Sequence, residues 1–184
     1  MKHVLCVAAS LAFLGGCNKG PSVELHNASG NEVVAAVKKS GMMSNDMIQP
    51  GLWQSKVTVE DMNIPGLPPQ FADKMKETMA QHRNDANTHC VTPADVKKPK
   101  EDFFGAGKSC RYEHFEMGGG KMDIQMTCKE EASTQTSNMT GSYTPTSYSM
   151  DMSSKATGEG MENGMTMKLH VDSKRVGECT GKEG

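Results

Sequence analysis

The side chains with the most chemistry to offer in this 184-residue sequence are its 16 methionines, six histidines and six cysteines. The methionines recur at short spacings: Met122-x-x-x-Met126, Met150-x-Met152 and Met161-x-x-x-Met165-x-Met167-x-x-His170. Thioethers are soft ligands that suit Cu(I), and imidazole suits copper as well. On a strand Met150 and Met152 share a face, as do Met165 and Met167, so neighbouring strands could converge several sulfurs. The same alternation with Thr, Ser, Asp and Lys also describes a one-sided β core filled by methionine. His170 falls on the face opposite Met165 and Met167, which counts against that cluster. Copper binding is the alternative reading. The expectation is no resident metal and no cofactor.

Catalytic patterns are missing. The sequence has no Gly-x-Ser-x-Gly elbow, no phosphate-cradling glycine loop and no His-Glu-x-x-His. His82, His89 and His114 are scattered, and Glu113, Glu116, Glu130 and Glu131 read as solvated faces. No catalytic residue is expected, and the chain is read as not an enzyme. Net charge is −2, with no basic stripe. Nucleic-acid binding needs clustered positive charge, so it is set aside.

The N-terminus carries the clearest signal. Val4–Leu14 is an apolar run too short to anchor a chain by spanning, and it reads as the core of a signal peptide. Leu14-Gly15-Gly16-Cys17 follows and resembles the bacterial lipobox, in which the cysteine thiol is acylated and the peptide is cut before it. Residues 1–16 are thus expected to be a lipoprotein signal peptide, and Cys17 the lipidated residue. The acyl chains would contribute ~0.8 kcal/mol per buried methylene, a lasting membrane anchor. Asn18 after the cysteine points to the outer membrane, facing the periplasm, by analogy with enteric sorting. Residues 17–47 are read as the lipidated cysteine and a tether, with Asn31–Lys39 able to form a short helix that groups Val33, Val34 and Val37.

Four cysteines remain in the exported chain: Cys90, Cys110, Cys128 and Cys179. An even set in an exported protein reads as two disulfides with three possible connectivities. A metal held by four thiolates would want Cys-x-x-Cys pairs, and there are none. The choice turns on the stretch from Ser109 to Lys129, two strand-like runs around Gly118-Gly119-Gly120 that read as a β-hairpin. One register sets Cys110 opposite Cys128 but Phe115 against Asp123. Slipped by one residue, Met117 faces Met122 and Phe115 faces Ile124, while Cys110 moves to the other face. Each well-buried apolar side chain is worth roughly 1.5–3 kcal/mol, which favours the second register. Cys90–Cys110 with Cys128–Cys179 is then the simplest pairing, without nesting.

The elements around this hairpin follow from pattern. Trp53, Ser55, Val57 and Val59 share one face of a first strand, with Trp53 as a core anchor. Gln70–His82 is helix-compatible, its Phe71, Met75, Met79 and His82 forming a stripe expected to pack on the sheet. Thr92-Pro93-Ala94-Asp95 reads as a helix start. Ser133–Ser142, Ser147–Lys155 and Met165–Lys174 alternate and read as successive antiparallel strands, so the C-terminal half is a meander.

The ordered set Pro50-Gly51-Leu52-Trp53, Pro65-Gly66-Leu67-Pro68-Pro69, Cys90-Val91-Thr92-Pro93, Ser109-Cys110, Met126-Thr127-Cys128 and Arg175-Val176-Gly177-Glu178-Cys179 resembles the DUF3617 family of bacterial envelope proteins. The resemblance runs from Ile48 to Cys179 and implies an envelope location, a β-rich fold and disulfides. It carries over no catalytic residue. The expected fold is mainly β, an antiparallel meander sheet or partly open barrel with one or two short helices, stapled by disulfides, over residues 48–184. The expected function is a membrane-anchored, non-catalytic binding or interaction module. A sheet lined by flexible methionines, with the 70–82 helix across its mouth, could hold an apolar ligand, and an envelope protein is the other expected partner.

Overall fold

The computed structural model describes residues 20–43, 47–83, 87–97, 104, 107–159 and 161–181. The signal peptide expected over residues 1–16 and the lipidation expected at Cys17 lie outside them. In chain order the elements are β1 (Ser22–Ser29), α1 (Gly30–Lys39), β2 (Gly51–Asn63), α2 (Pro69–Arg83), β3 (Asn87–Val91), α3 (Pro93–Lys97), β4 (Cys110–Gly118), β5 (Lys121–Lys129), β6 (Ser133–Thr144), β7 (Ser147–Gly158) and β8 (Met161–Gly177). The strands form one open antiparallel sheet in the order β1-β4-β5-β6-β7-β8-β2-β3. The run from β4 to β8 is the expected meander.

The central hairpin uses both registers. Gly119 and Gly120 turn with positive φ, 56° and 75°, the backbone a two-residue hairpin loop requires. Beyond it Met117 pairs with Met122 and Phe115 with Ile124, as burial favours. The register then shifts between Tyr112 and His114, so that Tyr112 meets Met126 and Cys110 meets Cys128. Glu113 is the extra residue of a β-bulge, and its effect is a change of parity. Cys110, Tyr112, Phe115 and Met117 all become buried on one face. Alternation without a bulge could satisfy only half of them.

The disulfides are therefore Cys110–Cys128 and Cys90–Cys179, the nested pairing. This corrects the expectation of Cys90–Cys110 and Cys128–Cys179. Lys129 N donates to Ser109 O beside the first bridge, which marks Cys110–Cys128 as a non-hydrogen-bonded pair, the closer kind of cross-strand neighbour. The expected pairs fail on distance. Cys128 on β5 and the end of β8 are three strand positions apart, roughly 14 Å in the sheet, beyond any disulfide. Cys90, on edge strand β3, instead meets Cys179 because β3 and β8 both flank β2. Closing sequence separations of 18 and 89 residues is worth about 3 and about 4–5 kcal/mol on the chain-entropy account.

Residues 22–43, expected as tether, belong to the fold. β1 pairs along β4 from Ser22↔Gly118 to Ser29↔Arg111. Its outward residues are polar because one face of an edge strand meets water, and that masked the inward Val23 and Ala28. α1 starts at a capping box: Ser29 N and Oγ donate to the Glu32 carboxylate at 2.7 and 2.8 Å, and Glu32 N donates back to Ser29 Oγ at 3.4 Å. The helix buries Val33, Val34 and Val37, the grouping expected from sequence.

Two clusters make the core. The larger joins Val33, Val37, Met42 and Met47 to Tyr112, Phe115, Met117, Ile124, Met126 and Met139. Phe115 meets Tyr112 and Phe104 edge-on at 5.5 and 5.3 Å, and Tyr112 Oη donates to Phe104 O. The smaller cluster is Trp53, Val91 and Val96. Trp53 is 1% exposed, stacks on Tyr148 at 6.1 Å and donates from Nε1 to Gln49 O at 3.0 Å. It is the anchor the sequence implied. Thr92 caps α3 by sharing hydrogen bonds with Asp95.

Candidate functional site

Among the described residues, two places have the geometry of sites. The first is the outward face of β2, β7 and β8. Strand alternation sends Leu169, Val171 and Ser173 inward to burial and leaves His170 and Asp172 outward. The register then lines up Asp151, His170 and Thr58 in one row and Ser149, Asp172 and Lys56 in the next. His170 Nδ1 lies 2.6 Å from Asp151 Oδ1, and its Nε2 lies 3.2 Å from Asp172 Oδ2 and 3.4 Å from Ser149 Oγ. The hydrogen bond to Asp151 raises the imidazole above its ordinary range; slight burial opposes this, and the Asp172 charge adds to it.

Glu60 joins this pair through a second bulge. The β2–β8 register shifts between Val59 and Asp61, which leaves Glu60 as the extra residue. One ligand atom from each of Glu60, Asp151 and His170 then lies within 4.8 Å of the others. Beside this cluster Lys56, Asp172 and Lys174 border an open cleft of about 520 Å³ that reaches Tyr143 and Tyr148. Burial raises the Tyr143 hydroxyl above its ordinary range, with a backbone hydrogen bond at Gly120 opposing.

The second place is α2. The helix lies against β2, yet Phe71 is 52% and Met75 41% exposed. With Leu67, Lys74 and Thr78 they line a cleft of about 370 Å³. The stripe expected to pack on the sheet is therefore only partly covered. Helical spacing specifies which residues share a side of a helix, not which side the sheet receives. The side chains of Met79 and His82 lie outside the described residues.

The structure also locates the other residues singled out. Met126 and Met139 are core, and Met122, Met150 and Met152 pack against them. Met139 pairs with both Ile124 and Met152 across the strands. Met165 and Met167 are half-buried on the inward face, opposite His170. His89 on β3 and His114 on β4 sit near opposite edges of the sheet. His114 instead faces His26, their rings 5.0 Å apart, with Glu116 and Glu24 close by. Asp151, Asp172 and Glu60 had not been singled out from sequence. Strand parity could have placed the first two outward; nothing in the pattern announces the bulge that brings Glu60.

Among the described residues no helix is long and apolar enough to cross a membrane. The fold is that of an open antiparallel sheet protein stapled near both flanks by disulfides, with two clefts on its surface among the described residues. The chain belongs to the DUF3617 family, described as proteins of unknown function, whose model matches residues 48–179. No curated protein and no solved structure matches it.

Proposed function

We propose that the protein is an acyl-anchored lipoprotein of the bacterial envelope, held at the outer membrane and facing the periplasm through lipid on Cys17, and that it acts by binding rather than catalysis. The observation that carries the binding role is the apolar flank of α2. Large side chains left in water on a folded surface mark contact sites, and among the described residues Phe71 and Met75 are the largest such pair. The cleft they share with Leu67 has a volume in the range of small-molecule sites, and Lys74 stands at its border. That chemistry suits an apolar ligand with an acidic head, of the kind a lipid offers.

The test uses the exported, disulfide-bonded protein with Cys17→Ser, so that its own acyl chains are absent. Native mass spectrometry is expected to show an added mass of a few hundred daltons that Phe71→Asp with Met75→Asp removes. A bare mass in the parent protein would overturn lipid binding. Retention of the adduct in the double variant would overturn the α2 site. Metabolic acyl labelling that persists after Cys17→Ser would overturn the anchor.

A further inference from the structure

We infer that Glu60, Asp151 and His170 form a site for a divalent transition-metal ion of the Zn²⁺ type, on the outward face of β2, β7 and β8. Three features of the cluster lead there. Each donor sits on a different one of three adjacent hydrogen-bonded strands, so the backbone presents them as a fixed set. Their ligand atoms already lie within 4.8 Å of one another. Zinc bonds of about 2.0–2.2 Å place neighbouring donors roughly 3.4 Å apart, so Asp151 would open from its 2.6 Å contact with His170 while Glu60 adjusts, and both side chains are exposed.

The second feature is the surplus carboxylate. Asp151 and Asp172 already flank the one imidazole. Glu60 is brought to the same place by the β2 bulge, and among the described residues no hydrogen bond or ion pair engages it. Three carboxylates converging on one imidazole repel one another, and a dication in their midst would attract each of them. Third, the imidazole is oriented as a ligand would be. Nδ1 faces Asp151 at 2.6 Å, and a metal ion replacing the proton between them would leave Nε2–H to donate to Asp172 at 3.2 Å. A carboxylate holding the far nitrogen of a ligating histidine fixes its tautomer and raises its basicity. One nitrogen and two oxygens favour Zn²⁺ or a similar ion over Ca²⁺, which takes oxygen alone, and over Cu(I), which prefers sulfur.

The experiment is titration of Zn²⁺ alone into the metal-stripped, disulfide-bonded exported protein, followed by calorimetry and by metal analysis after desalting. One equivalent is expected to bind. His170→Gln and Glu60→Gln are each expected to abolish it, and Asp172→Asn to weaken it about 10–100-fold. His26→Gln with His114→Gln, which removes the other paired imidazoles, is expected to leave it unchanged. Glu60 is exposed, so its variant tests the site even if the His170 variant folds poorly. No uptake by the parent protein, uptake undiminished in Glu60→Gln, or uptake lost only with His26 and His114 would each overturn the inference.

Discussion

Arg111 grips Asn27 from across the edge of the sheet: its Nε donates to Asn27 Oδ1 at 2.8 Å and its Nη2 to the Asn27 backbone carbonyl. Asn27 has a positive φ of 49°, unusual for a residue with a side chain. The pairing His26↔His114 and Ala28↔Tyr112 sets Asn27 level with Glu113, the bulge residue of β4. The two irregularities match. Each strand changes parity at the same level, and so β1 can present both Val23 and Ala28 to the core.

Replacing Asn27 with a β-branched residue removes both the tolerance of that backbone and the acceptor for Arg111. Asn27→Val is expected to destabilise the fold by about 1–2 kcal/mol in denaturant unfolding. Asn27→Gly keeps the backbone freedom and should cost less. Equal losses for the two variants would show that the backbone conformation of Asn27 carries no weight.

A peptide map of the non-reduced protein should yield Cys110 linked to Cys128 and Cys90 linked to Cys179. Removing the shorter bridge with Cys110→Ser and Cys128→Ser is expected to cost about 2–4 kcal/mol, with the larger loss from the long loop. A Cys90–Cys110 peptide would contradict the strand order itself.

Acidification should weaken the cap of α1. The backbone and side-chain hydrogen bonds of Ser29 hold the Glu32 carboxyl below its ordinary range. A depressed folded-state pKa means the capping contribution is complete above the ordinary carboxylate range and is lost as pH falls through the lowered value. The stability gap between the parent protein and Glu32→Gln should therefore shrink as pH drops beneath that range. The check is the urea midpoint of both proteins across acidic pH; a constant gap would count against the charged cap.

Trp53, the single tryptophan, reports on the smaller cluster. Its emission should be blue-shifted in the native protein and move to the red on unfolding, since the ring is 1% exposed. Trp53→Ala is expected to cost about 3–5 kcal/mol. A native emission typical of water would place the ring outside the core.

What could be read from sequence follows the range of the interaction. Alternation and turn chemistry sufficed for β6, β7, β8 and the glycine turn, the grouping of Val33, Val34 and Val37 for α1, and capping residues for α3. Single-residue insertions defeated the same logic. A bulge at Glu113 reversed the choice between disulfide pairings, and one at Glu60 assembled a cluster that no linear spacing shows. Bulges arise where two strands must both keep contact with a core, a property of the pair and not of either strand. β1 escaped notice for a related reason: its few inward residues make sense only beside β4.

Incorporating β1 into the sheet changes the reach that the proposed anchor would allow. A tether over residues 17–47 would give a leash of about 100 Å at full extension. β1 begins at Ser22, whose partner Gly118 borders the β4–β5 turn. From an acyl group on Cys17 the free contour is then only about 17 Å. On the proposed acyl anchor, that end of the sheet would be moored against the bilayer, and the molecule would survey its surroundings by pivoting there instead of drifting at the end of a leash.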